Sequence, residues 1–288
     1  MTTPIGQAAV AQKGWWLSHR FLLLRRLCQL TVLALFLLGP LAGIWVLKGN
    51  LAASVLLDTI PLSDPLVWLQ TLLAGKALEL SLGLGALLVA GIYLVLGGRV
   101  FCSWVCPVNP VTDAASWLRR RLGLNRSGTL SRSLRYWMLG MVLALPLVTG
   151  ALVWELVNPV SLTMRGLLYG MGAGWGLIVA IFAFDLFMVR RGWCGHLCPL
   201  GAFYALLGRL SPLRINASQR SRCNDCMDCY ALCPEPQVIK PALKGEPLGN
   251  SSLILAPECT NCGRCIDVCS ESVFEFSTRF ANKAERPS

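Results

Sequence analysis

The sequence predicts an α-helical membrane protein that ends in a small cysteine-rich domain, and three observations lead to this fold class. Hydrophobic residues make up 55% of the 288 residues and charged residues make up 14%, whereas ordinary domains are about a quarter charged. Long apolar runs alternate with short charged stretches, a pattern typical of membrane helices. Of the 13 cysteines, all except Cys28 fall into four regular motifs. This regular spacing indicates thiolates that bind metal in a reducing compartment, rather than the disulfides of a secreted protein.

Four apolar segments are long enough to cross a bilayer, for which about 20 residues suffice. They are residues 27–47, 77–96, 136–157 and 167–189. A fifth apolar stretch, residues 51–74, contains Asp58 and Asp64 together with two prolines. An aspartate near the bilayer centre costs roughly 2.5–3.5 kcal/mol on insertion scales. We therefore expect the fifth stretch to be a loop or an interfacial helix, and the protein to have four transmembrane helices.

The positive charges predict the orientation of these helices. Basic residues are concentrated in the N-terminal segment and in the loop after the second span. In that loop they are Arg99, Arg119, Arg120, Arg121, Arg126, Arg132 and Arg135. By the positive-inside rule, we expect a multi-pass protein of a bacterial inner (cytoplasmic) membrane with its N- and C-termini in the cytoplasm. The same rule explains the net charge of +11, so we expect no nucleic-acid partner.

An internal repeat divides the membrane part into two halves. The second and fourth spans are each followed by a C-x-x-x-C-P motif, which contains Cys102, Cys106 and Pro107 in the first half and Cys194, Cys198 and Pro199 in the second. The loops upstream carry Asp64-Pro65 and Asn158-Pro159 at nearly the same distance. Both halves are predicted to be hairpins that form a parallel repeat. The expected domains are a cytoplasmic N-terminal segment at 1–26, a four-helix membrane domain at 27–210 and a cysteine-rich domain at 211–288.

The most specific motif is a pair of cysteine runs in the C-terminal domain. Each run has the spacing C-x2-C-x2-C-x3-C that is typical of bacterial ferredoxins with two [4Fe–4S] clusters, where the fourth cysteine of each run ligates the other cluster. We therefore expect one cluster on Cys223, Cys226, Cys229 and Cys269. We expect the other on Cys259, Cys262, Cys265 and Cys233. A pair of zinc knuckles is the alternative, since soft thiolates also suit zinc.

The four cysteines of the C-x-x-x-C-P motifs form a second candidate site. Two cysteines at positions i and i+4 of a helix share one face, and the repeat could bring Cys102, Cys106, Cys194 and Cys198 together. Such a site could hold an additional iron or iron–sulfur centre, or act as a redox dithiol. The alternative is that all four are reduced cysteines that pack behind a helix end.

Other redox cofactors have little support in the sequence. It contains two histidines, His19 and His196, and no C-x-x-C-H motif, so covalent haem is not expected. Quinol is the natural lipid-soluble partner for a redox protein in a membrane. Glu79, Glu155 and Asp185 lie in or at the ends of the predicted spans, where acidic residues are candidates for function.

Four spans, two C-x-x-x-C-P motifs and a C-terminal two-cluster ferredoxin resemble the NapH family over nearly the whole chain. The resemblance implies a quinol dehydrogenase component that oxidises menaquinol or ubiquinol drawn from the membrane quinone pool. It also implies a periplasmic or membrane-attached iron–sulfur or multihaem partner that leads to periplasmic nitrate reductase. CcoG-type proteins share the same parts, so a metal-reducing assembly factor for a copper oxidase is one alternative. A membrane scaffold that recruits another iron–sulfur protein is a second.

Overall fold

The computed structural model describes residues 5–76, 79–124, 126–170, 172 and 174–280. Parts of the predicted segments, at 1–4, 77–78, 125, 171, 173 and 281–288, lie outside these described residues. The chain is mostly helical. The α-helices are α1 Gln7–Lys13, α2 Trp15–Ala42, α3 Pro65–Leu73, α4 Leu80–Leu96, α5 Val100–Trp104, α6 Val108–Arg121, α7 Leu134–Thr149, α8 Val153–Val157, α9 Pro159–Tyr169, α10 Gly174–Ala183, α11 Pro199–Leu207, α12 Asp228–Leu232, α13 Ile239–Lys244 and α14 Arg264–Val268. The strands are β1 Leu47–Gly49, β2 Ala53–Leu56, β3 Ile60–Ser63, β4 Leu213–Asn216 and β5 Glu275–Thr278.

The chain divides into two compact units, each built from separate stretches. The first unit comprises Met1–Cys28, Tyr93–Val105 and Ala205–Ser288, and the second comprises Gln29–Ile92 and Cys106–Tyr204. The first unit therefore contains the predicted cysteine-rich domain together with two stretches from earlier in the chain. We describe the two units separately.

One helix, α2, is long and apolar enough to cross a membrane, judged by its length and composition. Three shorter apolar helices coincide with the other predicted spans, at Leu80–Leu96, Leu134–Thr149 and Gly174–Met188. The last of these continues α10 through a π-helical turn at Phe184–Met188. These three helices are thus shorter than the spans predicted from apolar character, whereas α2 is longer than the predicted span at 27–47.

In the last two of these spans, glycines interrupt the apolar runs. The prediction for residues 136–157 was too long, because α7 ends at Gly150, whose φ of 64° is left-handed, and α8 is a separate helix. The prediction for residues 167–189 crosses a similar break at Gly170, where φ is 79°. Glycine adopts such angles without steric cost and commonly ends helices.

A three-stranded antiparallel sheet occupies residues 47–63, a region for which no strands were predicted. Strand β2 lies in the middle, with Leu47 opposite Leu56 and Ala53 opposite Ser63. The prediction of a loop or interfacial helix for residues 51–74 is therefore wrong in its first half, while α3 forms in the second half. Alternation of half-buried and exposed residues in β2 fits a small sheet with one covered face.

The two halves of the repeat begin their equivalent helices in the same way. Asp64 caps α3, and its side chain accepts a hydrogen bond from the Leu66 amide at 2.8 Å. Asn158 caps α9 and accepts from the Val160 amide at 3.1 Å. In both helices a proline occupies the first turn, where its missing N–H costs nothing.

The first unit has its own apolar core beneath the cysteine runs. Strands β4 and β5 pair antiparallel, with Leu213 opposite Thr278, and α12 packs against α14. The buried core residues include Ile215, Ile239, Ile254 and Val273. This core fixes the positions of the loops that carry the cysteines.

Candidate functional site

The two cysteine runs have the same backbone conformation. In the first loop, Asp225 and Met227 have left-handed φ angles of 59° and 63°. In the second loop, the equivalent residues Asn261 and Gly263 have φ angles of 45° and 71°. These turns curl each C-x2-C-x2-C loop, so its three cysteines can face a common centre.

A short helix follows each loop and leads to the fourth cysteine. Helix α12 ends at Leu232 and α14 ends at Val268. The cysteines that follow, Cys233 and Cys269, have extended backbone, with ψ of 133° and 115°. Cys233 is followed by Pro234, and Cys269 by Ser270. The proline is thus not needed for the extended geometry.

The first predicted cysteine set lines one cavity. Its lining includes Cys223, Cys226, Cys229 and Cys269. Burial raises the pKa of the Cys229 thiol to about 12, and the neighbouring Cys226 and Cys269 thiolates add to this effect. The structure therefore brings together three cysteines of the first run and the last cysteine of the second.

The second predicted set also lies together. Burial raises the pKa of the Cys265 thiol well above its ordinary value, and the thiolates of Cys262, Cys233 and Cys259 raise it further. Burial likewise raises the pKa of Cys259 to about 11. Here the fourth neighbour, Cys233, comes from the first run.

Both sets fit a cluster bound by thiolates. All the donors are sulfur, which suits iron–sulfur centres, and the raised pKa values of Cys229, Cys259 and Cys265 mean that these three thiols are protonated at neutral pH without a metal. Binding must therefore release protons, and we expect cluster affinity to fall as the pH falls. In the part of the chain that the structure describes, no three His, Cys, Asp or Glu side chains converge as ligands of a single metal ion.

The two cysteines of the first C-x-x-x-C-P motif belong to different units. Cys102 is in α5 and belongs to the first unit, whereas Cys106 follows the end of that helix and belongs to the second. The prediction that both cysteines share one helical face is wrong, because α5 ends at Trp104.

Residues around Cys102 contact the loop of the second cysteine run. The Ser103 hydroxyl donates to the Thr260 carbonyl at 2.8 Å, and the Trp104 indole donates to the Asn261 carbonyl at 3.2 Å. Arg99 donates to the Glu258 carbonyl at 2.9 Å. The segment therefore binds three backbone carbonyls on either side of Cys259.

Arg99 also forms a buried ion pair. Its guanidinium lies 2.7 Å from the Glu235 carboxylate, and the two side chains are 2% and 3% exposed. Because charges of this kind are costly to bury singly, the pair ties the Tyr93–Val105 stretch to the chain that follows Cys233.

The second motif has a different local structure. Cys194 lies in a π-helical turn at Trp193–Leu197, and Cys198 follows that turn and precedes α11. The Cys194 thiol lies 3.9 Å from the Thr112 hydroxyl, and the Gly201 amide donates to the Cys198 sulfur at 3.4 Å. These two cysteines, like Cys106, belong to the second unit.

Two of the acidic candidates have local partners. The Glu155 carboxylate accepts from Asn158 at 2.8 Å and from Ser161 at 2.6 Å, which places it in the capping network of α9. Asp185 is fully buried, and one carboxylate oxygen accepts from the Trp193 amide at 2.9 Å. Asp185 therefore positions the turn that carries Cys194, while Arg191 pairs with Asp113 at 2.9 Å.

Sequence reasoning missed the contact between the N-terminal helices and the second cysteine run. The Asp267 carboxylate accepts from the Phe21 and Leu22 amides at 3.2 and 3.0 Å. Lys13 donates to the Ile266 carbonyl at 3.2 Å. The available signal was charge complementarity between the acidic Asp267 and the basic N-terminal segment. Such a pairing between distant residues has no fixed spacing in the sequence by which it could be recognised.

Comparisons with known proteins agree with the cysteine patterns. A family described as "4Fe-4S dicluster domain" matches residues 215–270. A second family, described as "4Fe-4S binding domain", matches residues 78–125 and 167–218, so each match contains one C-x-x-x-C-P motif. No solved structure matches the chain significantly.

Curated relatives match almost the whole chain. The ferredoxin-type protein NapH of Escherichia coli is 48% identical over 280 residues, which cover 97% of each chain. NapH of Haemophilus influenzae is 49% identical over the same length. The methylamine utilization ferredoxin-type protein MauN of Methylorubrum extorquens is 50% identical over 270 residues, 94% of this chain and 93% of the relative. The chain therefore belongs to the NapH family of ferredoxin-type electron-transfer proteins, to which MauN is also similar.

Proposed function

We propose that this protein is the quinol dehydrogenase component of a membrane electron-transfer system. It would take electrons from menaquinol or ubiquinol and pass them toward a periplasmic nitrate reductase. The observation that carries this proposal is the placement of two four-cysteine sets in a unit that includes the start of the long apolar helix α2. A soluble ferredoxin has no use for such a helix, whereas a protein that reacts with a lipid-soluble quinol does.

The two cysteine sets would hold two [4Fe–4S] clusters, with Cys223, Cys226, Cys229 and Cys269 on one and Cys259, Cys262, Cys265 and Cys233 on the other. Clusters of this kind accept or donate one electron at a time. The chain itself supplies the thiolates and curls both loops through left-handed turns. It also keeps water away from the more buried set, which is that of Cys259, Cys262, Cys265 and Cys233. Two one-electron sites suit quinol, which loses two electrons and two protons when it becomes quinone.

The C-x-x-x-C-P cysteines would provide a further centre. The "4Fe-4S binding domain" family matches both motif regions, which favours an additional iron or iron–sulfur centre on Cys102, Cys106, Cys194 and Cys198 over four packing cysteines. Such a centre would offer electrons a path between the quinone pool and the two-cluster unit. It would also explain why the motif is repeated.

A downstream partner must accept the electrons that leave this protein. The NapH relatives and the MauN relatives named for methylamine utilization are similarly close, so the electron-transfer step is what the family shares. We propose a periplasmic or membrane-attached iron–sulfur or multihaem protein as the partner. A nitrate reductase encoded beside this chain would favour the NapH system.

We propose four membrane spans with both termini in the bacterial cytoplasm, and reporter fusions test this topology. Fusions after Ser127 and at the end of the chain are expected to report cytoplasm, because arginines flank the first site. A fusion after Asp58, in the turn between β2 and β3, is expected to report periplasm. A periplasmic signal after Ser127 would overturn the topology.

The quinol assignment is tested by direct electron exchange. Purified protein in liposomes would be mixed anaerobically with reduced menaquinone and ubiquinone analogues, and cluster reduction would be followed by EPR. We expect at least one quinol to reduce the centres, and the corresponding quinone to oxidise them in the reverse reaction.

A variant with Cys102→Ala and Cys198→Ala is the matched comparison for this experiment. If the motif cysteines form the path from quinol, the variant keeps its clusters but loses quinol-driven reduction, while dithionite still reduces it. If no quinone exchanges electrons with the wild-type protein in either direction, the quinol assignment fails. A metal-reducing assembly factor would then be the better description.

A further inference from the structure

The two cysteine loops share a backbone conformation but differ in exposure. In the first loop, all four residues from Asn224 to Met227 are exposed, including Cys226. In the second loop, every residue from Thr260 to Cys265 is buried. Since the loops are otherwise equivalent, other parts of the first unit must cover the second.

One cover is the segment that carries Cys102. Arg99, Ser103 and Trp104 bind the carbonyls of Glu258, Thr260 and Asn261. Asn261 adds a reciprocal contact, because its side-chain amide donates to the Leu96 carbonyl at 3.2 Å. The backbone next to Cys102 therefore lies directly against the loop that carries Cys259 and Cys262.

The other cover is the start of α2. A Cβ atom at Gly263 would lie 2.4 Å from Cγ of Phe21, so only glycine fits beneath this ring. The left-handed φ of 71° at Gly263 also favours glycine. Helix α2 thus closes the second loop on the side where its backbone turns.

The equivalent position in the first loop is Met227, which no comparable element covers among the described residues. Its side chain is 57% exposed, although its φ of 63° is unfavourable for a residue with a long side chain. Asp225 and Lys244 form an ion pair beside it. An exposed methionine within a charged rim has the character of a transient protein contact.

We infer that the two cysteine sets exchange electrons with different partners. The set of Cys259, Cys262, Cys265 and Cys233 exchanges with the membrane part through the Cys102 segment. The set of Cys223, Cys226, Cys229 and Cys269 exchanges with a water-soluble redox protein of the cytoplasm, which contacts Met227 and is distinct from the partner that leads to the nitrate reductase. This inference rests on the proposed function only for the identity of quinol as the membrane donor.

The electron balance of this route is simple. Oxidation of one quinol to quinone releases two electrons and two protons, and the electrons enter the buried set one at a time. Each electron then moves to the exposed set, and the soluble partner is reduced when the electron leaves. No proton accompanies the electron between the two sets.

Exposure of the two sites can be measured on full-length protein that keeps one cluster. Cys262→Ser is expected to keep only the exposed site, and Cys226→Ser only the buried site. EPR power saturation with a water-soluble lanthanide chelate should relax the signal of the Cys262→Ser protein several-fold more strongly. Ferricyanide should also oxidise that protein several-fold faster. Equal responses, or the reverse order, would overturn the inference.

A second pair of variants keeps all cysteines. Trp104→Phe removes the indole donor to the Asn261 carbonyl and is expected to alter the EPR line shape of the buried site alone. Trp117→Phe, at an exposed position in α6, is the control and should leave both sites unchanged. If Trp104→Phe alters neither signal or both, the Cys102 segment does not serve the buried site specifically.

Reduction of the two single-cluster variants by quinol tests this inference separately from the proposed function. Reduced menaquinone analogue should reduce the Cys226→Ser protein and leave the Cys262→Ser protein oxidised. Reduction of the Cys262→Ser protein would contradict the order of the two sites. Failure to reduce the wild-type protein would contradict the quinol assignment alone, because the chelate and ferricyanide measurements use no quinol.

Discussion

Replacing Glu235 with alanine is expected to lower the free energy of unfolding by about 3–5 kcal/mol, since the change leaves the Arg99 guanidinium buried without its carboxylate. The two side chains are 2% and 3% exposed, so water cannot take the place of the lost partner. Denaturant unfolding of the detergent-solubilised protein, followed by circular dichroism, would measure the change.

Two controls separate the buried charge from a general loss of packing. Glu246 pairs with Arg220 at 3.0 Å, but its side chain is 64% exposed, and Glu246→Ala should cost no more than about 1 kcal/mol. A double variant with Arg99→Met and Glu235→Leu removes both charges and should recover most of the lost stability. If Glu235→Ala is as mild as Glu246→Ala, the ion pair does not secure the Tyr93–Val105 stretch.

Single cysteine replacements are expected to remove one of the two clusters each. The wild-type protein should contain about eight iron and eight sulfide ions per chain in the two-cluster unit, with any further centre adding to this total. Cys226→Ser and Cys262→Ser should each remove about half of the iron and sulfide held by that unit, and each should abolish a different EPR signal. Anaerobic iron and sulfide analysis of the purified variants measures both quantities.

The lone cysteine provides the matched control for this experiment. Cys28 lies in α2 and outside every cysteine motif, so Cys28→Ser should leave the iron, the sulfide and both signals unchanged. Bound zinc without acid-labile sulfide in the wild-type protein would contradict the assignment. So would loss of the same signal in both ligand variants.

The sequence predicted those features that depend on local spacing. The spacing of the two cysteine runs predicted that the first three cysteines of each run share one centre. The left-handed turns at Asp225, Met227, Asn261 and Gly263 curl each loop in a way that allows this. The Asp-Pro and Asn-Pro pairs predicted equivalent points in the repeat, and both side chains cap helices. Such features are readable because a few adjacent residues determine them.

Features that depend on distant parts of the chain could not be predicted in the same way. Nothing in the apolar run that contains Phe21 indicates that its ring would lie against Gly263. The hydrogen bonds from Ser103 and Trp104 go to backbone carbonyls, which every residue possesses and no motif marks. Helix ends were misplaced for a related reason, since apolar character continued past Gly150 and Gly170.

The composition of the first unit has a consequence for biosynthesis. This unit combines Met1–Cys28 and Tyr93–Val105 with Ala205–Ser288. The two stretches that are synthesised first therefore cannot complete their packing until the last stretch has been synthesised. While the ribosome makes the intervening residues, the surfaces around Phe21 and Trp104 have no partner of their own. Iron delivery to the complete cysteine sets must come later still, because Cys269 is synthesised after both of the earlier stretches. We therefore expect nascent chains that stop before Ala205 to depend on chaperones. We also expect residues 205–288 alone to fold less well than the complete unit.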